Sequence, residues 1–116
     1  MANKIEDILQ AEIVKEFNNN YCLRFHSPRG IIFSVPNGGN RNKIEAMTLK
    51  STGLLAGVSD LILITPKGKL YFIELKTKIG IQSEVQKDFQ KRIEELGYEY
   101  KLIRSLNEFK QWLKDK

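Results

Sequence analysis

Cysteine, histidine and tryptophan each occur once in the 116 residues, and proline three times. A lone Cys22 excludes an intrachain disulfide. Cys22 and His26 together are too few to build a Cys/His zinc site. No apolar run approaches the roughly 20 residues that span a bilayer, and the N-terminus has no secretory h-region. No membrane association is expected, and a reducing cytoplasm suits the cysteine usage. Internal repeats, low-complexity tracts and interdomain linkers are also missing, so residues 1–116 read as one domain with a modest core.

The composition that remains is 41% hydrophobic and 28% charged, as in a globular protein. The net charge is +5 and the pI about 9.4. A basic surface suits a polyanion partner through counterion release. On charge alone, a generic basic protein is the simpler reading.

The informative stretch is 57–76. Two apolar runs, Leu61 to Ile64 and Leu70 to Leu75, flank Thr65-Pro66-Lys67-Gly68-Lys69. Such runs around a Pro/Gly turn predict a β-hairpin. A turn centred on Lys67 sets Asp60 opposite Glu74, and cross-strand partners share a face. The period of two adds Lys76 to that face. Two carboxylates and an ammonium then converge at one end of an apolar hairpin. Adjacent carboxylates repel, and a partly buried charge is costly unless paired. A divalent cation removes both objections. Mg²⁺ takes one or two carboxylates, keeps several waters and binds substrate phosphate. Asp60 and Glu74 are therefore candidate ligands, with the Leu75 carbonyl as a further oxygen. Lys76 is placed to position or activate water, or to offset phosphate charge. The plain alternative is an exposed Glu–Lys ladder.

Elsewhere the chain reads as follows. Residues 3–17 are predicted helical, with Asn3 and Glu6 as a capping box. Ile5, Ile8, Leu9, Ile13 and Phe17 form an apolar stripe, with Glu12 and Glu16 in or beside it. As a helix-start acid, Glu6 suits the macrodipole. Asn18-Asn19-Asn20 ends that helix, Tyr21 to Phe25 reads as a short strand, and His26 sits in a surface turn. Ile31 to Val35 is the next strand. The loop Pro36 to Asn42 carries Arg41 and two glycines; it is either a phosphate-contacting loop or a connector. A short helix spans Lys43 to Ser51, and Lys43 and Lys50 either contact nucleic acid or solubilise. A basic loop with Lys78 follows the hairpin. Ser83 and Gln86 cap the next helix, whose face is Val85, Phe89, Ile93 and Leu96, with Gly97 at its end. A strand over Tyr98 to Ile103 precedes a helix capped by Ser105 and Glu108, with Phe109, Trp112 and Leu113 inward. The sum is an α/β domain with a mixed central β-sheet flanked by helices.

Gly57-Val58-Ser59-Asp60, Glu74-Leu75-Lys76 and a following Gln86 resemble the PD-(D/E)XK nuclease superfamily. Val35-Pro36-Asn37-Gly38-Gly39-Asn40-Arg41, Glu45-Ala46 with Leu49-Lys50, and Thr77-Lys78 through Ser83 are more narrowly similar to the VRR-NUC domain. The likeness covers roughly residues 5–105, with one departure: Ser59 stands where the family has proline, which loosens the backbone but removes no ligand. The resemblance implies a restriction-endonuclease-like core and metal-dependent hydrolysis of DNA phosphodiesters with Mg²⁺ or Mn²⁺. It implies a further acid from the first helix, where Glu6-x-x-Leu9-Gln10 matches the opening motif and Glu12 is the rival. It adds Gln86 to Asp60, Glu74 and Lys76 as a catalytic candidate, and Asn37, Arg41, Lys50 and Lys78 as nucleic-acid contacts. It also implies a homodimer acting in DNA repair on branched DNA such as Holliday junctions, in a viral or bacterial protein working in the host cytoplasm. A non-cleaving binding module and a restriction-type or single-strand nuclease are the alternatives.

Overall fold

The computed structural model describes residues 4–36 and 51–116. Asn3, Asn37, Arg41, Lys43, Lys50 and the expected helix up to residue 50 lie outside the described residues. Among the described residues, the elements in order are α1 (Lys4–Glu16), a π-helical turn (Phe17–Tyr21), α2 (Cys22–Arg24), β1 (Ile31–Ser34), β2 (Leu61–Ile64) and β3 (Leu70–Leu75). They continue with α3 (Glu84–Glu95), β4 (Glu99–Ile103) and α4 (Leu106–Leu113). The described strands form one sheet in the order β1-β2-β3-β4. The first two pairings are antiparallel and β3–β4 is parallel, which requires the α3 crossover between them. This is the expected α/β architecture with a mixed sheet.

The hairpin forms with the predicted strand limits. The Thr65 carbonyl accepts from Gly68 N–H, and Thr65 N–H donates to the Lys69 carbonyl, both at 2.9 Å. Leu61 pairs with Ile73, so the register carries on to Asp60 and Glu74 as the turn position predicts. Alternate residues of β3 face opposite layers. Tyr71, Ile73 and Leu75 join Leu9, Ile13, Phe17, Phe109 and Leu113 in the core beneath α1 and α4. Each such aliphatic or aromatic side chain contributes about 1.5–3 kcal/mol by leaving water. Phe72 faces the other way and packs on Phe89, whose ring centroid is 5.7 Å away. Phe89, Ile93 and Tyr100 form a smaller cluster there, and Glu74 shares the Phe72 side of the strand.

Expectations fail in three places, for identifiable reasons. The Asn run does not end the first helix, and Tyr21 to Phe25 is not a strand. The helix widens instead, with Cys22 N–H donating to the Phe17 carbonyl. The extra residue in that turn lets Phe17, Tyr21 and Cys22 all reach the core, and the Phe17 and Tyr21 rings stack at 4.9 Å. Burial outweighs the weak helix propensity of asparagine. Secondly, Ile5 and Ile8 of the α1 stripe are exposed, because the first turns of α1 line a cleft rather than the core. Thirdly, Val85 and Leu96 are exposed while Phe89 and Ile93 are buried: only the middle turns of α3 cover Phe72 and Tyr100.

The caps of α3 are as read. Ser83 Oγ accepts from Gln86 N–H at 3.3 Å, and Gln86 Oε1 accepts from Ser83 N–H at 2.8 Å. At the other end, Gly97 N–H donates to the Glu94 carbonyl and Tyr98 N–H to that of Ile93, with Gly97 at φ 92°. That is a Schellman cap. Ser105 Oγ caps α4 by accepting from Glu108 N–H at 3.1 Å, while Glu108 Oε1 accepts from Arg104 N–H at 2.7 Å. His26 is exposed, as its turn position predicts.

One glycine ties α3 to the segment that delivers Asp60. Gly57 has φ +82°, and a Cβ there would stand 2.3 Å from the Val85 carbonyl oxygen. Both the left-handed backbone and the backbone clash oppose a side chain. Gly57→Ala is expected to lower stability by about 2–4 kcal/mol in urea unfolding.

Candidate active site

The end of the hairpin brings Asp60, Glu74 and Lys76 together. Asp60 precedes β2, and its Oδ2 accepts from Leu75 N–H at 2.7 Å. That bond fixes the carboxylate against the last residue of β3. Ser59, buried beside it, donates its hydroxyl to the Leu61 carbonyl at 3.3 Å, so the position where the family has proline is tied down by a hydrogen bond.

Glu74 is only 1% exposed, which excludes the exposed-ladder reading. Its two oxygens have different surroundings. Oε1 accepts from Tyr100 Oη and, at 3.2 Å, from Gln82 Nε2. Gln82 also donates to Gln90 Oε1 at 2.9 Å, so α3 holds it in place. Among the described residues, Oε2 is buried without a hydrogen-bond partner. The nearest cation to it is Lys76 Nζ at 3.4 Å, an ion-pair distance without hydrogen-bond alignment. A buried carboxylate oxygen left over in this way is costly and calls for a positive ligand.

Glu6 lies near enough to feel the group. Its pKa is raised, first by burial, while Lys76 lowers it and Asp60, Glu74 and Asp7 raise it. Glu12 is exposed, though it lines the same cleft. Of the two first-helix acids, Glu6 is the one coupled to the hairpin pair. Among the described residues, no three His, Cys, Asp or Glu side chains are grouped closely enough to hold an ion. Asp60 and Glu74 alone match what Mg²⁺ asks of a protein, one or two carboxylates with water completing the shell. The orphaned Oε2 beside a second fixed carboxylate fits such an ion.

Gln86 makes the cap through its backbone N–H and its side-chain Oε1. The glutamine that touches Glu74 is Gln82, four residues earlier. Tyr100 on β4 is the other residue missed. Burial first, then its bond to Glu74, pushes the Tyr100 hydroxyl upward from its ordinary pKa, so it stays a donor. A tyrosine alternating into the β3 face was the available signal, but only the parallel β3–β4 pairing sets Tyr100 beside Phe72. Lys78 is exposed on the loop after β3, and Lys76, Lys78, Arg104 and the first turns of α1 line a cleft of about 710 Å³.

The family model for the VRR-NUC domain matches residues 4–107. The chain belongs to the VRR-NUC family. This is a nuclease family, so the buried Glu74, the half-buried Asp60 and Lys76 sit in a fold used for phosphodiester hydrolysis. A solved structure titled VRR_NUC domain protein is similar, with 17% identity, a TM-score of 0.72 and coverage of 99% of this chain and 89% of that one. A second, titled VRR_NUC domain, has 19% identity, a TM-score of 0.62 and coverage of 96% of both chains. No curated protein is similar enough to count as a match. The VRR-NUC model spans the hairpin, α1 and α3, and so includes every candidate site residue. Among the described residues, no helix is long and apolar enough to cross a membrane.

The Asp60 pKa is raised, chiefly by burial; Leu75 N–H and Lys76 oppose this and Glu74 adds to it. A raised carboxyl pKa means the folded chain holds a proton that the unfolded chain has released. Between the ordinary and the raised value, Asp60 therefore lowers stability as the pH rises. In EDTA at neutral pH, Asp60→Asn is expected to match or exceed the parent in urea stability. The difference should shrink as the pH falls toward the ordinary aspartate range.

Proposed function

We propose that this protein is a metal-dependent endonuclease that hydrolyses DNA phosphodiester bonds, acting as a homodimer on branched DNA. The observation that carries the reading is the buried, half-satisfied Glu74 carboxylate beside Asp60 and Lys76, in a chain of the VRR-NUC family. Asp60 and Glu74 Oε2 would hold Mg²⁺ or Mn²⁺, with the Leu75 carbonyl as a further oxygen and Glu6 as the acid nearest to them. Such an ion supplies Lewis-acid stabilisation of phosphate charge and lowers the pKa of bound water. Tyr100 and Gln82 hold the Glu74 carboxylate so that Oε2 remains free of hydrogen bonds. Lys76 orients the attacking water or offsets charge on the phosphate. Lys78 contacts the DNA backbone, with Asn37, Arg41 and Lys50 as further contacts. Gln86 serves the helix that supports Gln82. A homodimer has a physical logic, because cutting two strands calls for two sites.

The test is cleavage of duplex, single-stranded, flap and four-way-junction DNA with Mg²⁺, Mn²⁺ or EDTA. Metal-dependent cutting of the junction above the duplex supports the proposal. Tight DNA binding with no cutting in either metal replaces it with a non-cleaving binding module. Preference for duplex or single strands moves it to a restriction-type or single-strand nuclease. A sedimentation mass of one chain removes the dimer.

A further inference from the structure

The loop between Lys76 and Ser83 leaves two large apolar side chains in water. Ile79 is 92% exposed and Ile81 is 83% exposed. Single exposed apolar residues are ordinary. Here two share one short loop, and Ile79 lines the cleft that Glu6, Lys76 and the exposed Ile8 also line. The loop is held in shape from inside. Arg104 Nη1 donates to the carbonyls of Thr77 and Gly80 at 2.7 Å each, and to that of Lys78 at 3.3 Å. Gly80 N–H closes the turn onto the Thr77 carbonyl at 3.2 Å. A guanidinium is thus committed to fixing backbone, while the isoleucines it presents stay uncovered. A preorganised apolar tip of this kind loses little conformational freedom when a partner covers it.

Charge points to the partner. Lys78 lies between Thr77 and Ile79, and Lys76 stands at the base of the loop beside the carboxylates. Lys76, Lys78 and Arg104 line the cleft together with Glu6 and Glu12, and on the loop itself Lys78 is exposed beside Ile79, where it can meet a phosphate. On a continuous duplex the base faces are covered by stacking. At a branch or a single-strand junction they are open, and aliphatic side chains insert where stacking is broken. We propose that Ile79 and Ile81 form an apolar wedge that packs on unpaired nucleobases next to the scissile phosphate, and so favours branched DNA over continuous duplex. This rests on the nuclease reading above and says which part of the site reads substrate structure. Arg104 is a positioning residue that acts through the loop.

The test uses four-way-junction and flap DNA carrying 2-aminopurine at the branch, with a continuous duplex of the same sequence. Binding is followed in EDTA and cleavage in Mn²⁺. The unmodified protein is expected to raise 2-aminopurine fluorescence at the branch. The double variant Ile79→Ser with Ile81→Ser should bind branched DNA about tenfold more weakly and lose the fluorescence rise. Its binding to duplex should stay within about twofold, since phosphate contacts are kept. Leucine at both positions should restore branch binding, which separates lost apolar contact from a disturbed loop. An unchanged branch preference and fluorescence in the serine variant overturns the wedge. So does an equal loss on duplex and branched DNA. Conversion of a dimer to a monomer by the serine variant, seen by sedimentation, also overturns it and makes the patch a subunit contact. If the unmodified protein cuts none of these DNAs in Mg²⁺ or Mn²⁺, the nuclease reading itself fails. If it cuts and the serine variant is indifferent, only the wedge fails.

Discussion

Glu74→Gln and Asp60→Asn are each expected to lower the proposed metal-dependent DNA cleavage at least about a hundredfold, while DNA binding in EDTA stays close to that of the parent. The expectation follows from what each oxygen does. Glutamine at position 74 can still accept from Tyr100 and Gln82 through its amide oxygen, as Oε1 does now. It then presents an NH₂ group where Oε2 was, and an amide nitrogen neither ligates a hard cation nor carries charge. Asparagine at position 60 can still accept from Leu75 N–H, the bond that Oδ2 makes at 2.7 Å, but it lacks the second formal charge. Both variants should therefore fold and lose mainly the ion. Titration calorimetry with Mn²⁺ should show affinity reduced in step with cleavage. Retained cutting in either variant would remove that residue from the site.

Lys76→Gln should give the opposite signature. Cleavage falls at least about a hundredfold, yet Mn²⁺ binding is kept or strengthened. The Lys76 ammonium stands 3.4 Å from Glu74 Oε2, so it supplies part of the positive charge that an ion would bring there. A bound cation must share that carboxylate with it, and like charges repel. Removing the ammonium relieves the competition but takes away the group placed to handle water or phosphate. Parallel loss of metal affinity and cleavage would make Lys76 a structural partner of Glu74 and nothing more.

The parts of the site that were legible are those set by local rules. A Pro-Lys-Gly turn between two apolar runs fixes the hairpin register by counting, and Leu61 opposite Ile73 carries Asp60 to Glu74. Ser83 and Gln86 form a capping box from their spacing alone. Resemblance added Glu6, and burial now separates it from Glu12. The missed parts depend on contacts far apart in sequence. Tyr100 reaches Glu74 because β4 returns parallel to β3. Gln82 reaches it because α3 lies over that face and Gln90 holds the amide. Neither has a local pattern that differs from an ordinary strand tyrosine or loop glutamine. The Asn18 to Asn20 run misled because a propensity of a few tenths of a kcal/mol per residue was outweighed by burial of Phe17, Tyr21 and Cys22.

The order in which the chain leaves the ribosome matters for this carboxylate. The hairpin can close once Leu75 has left the exit tunnel, since its contacts are local. The hydroxyl that steadies Glu74 belongs to a residue 26 positions later, on the strand that the crossover helix connects to β3. Until that strand is in place, Glu74 Oε1 lacks one of its two donors. A chain ending before Tyr100 would keep the Asp60–Leu75 bond and the Gln82 donor but would lack the hydroxyl that Glu74 accepts from.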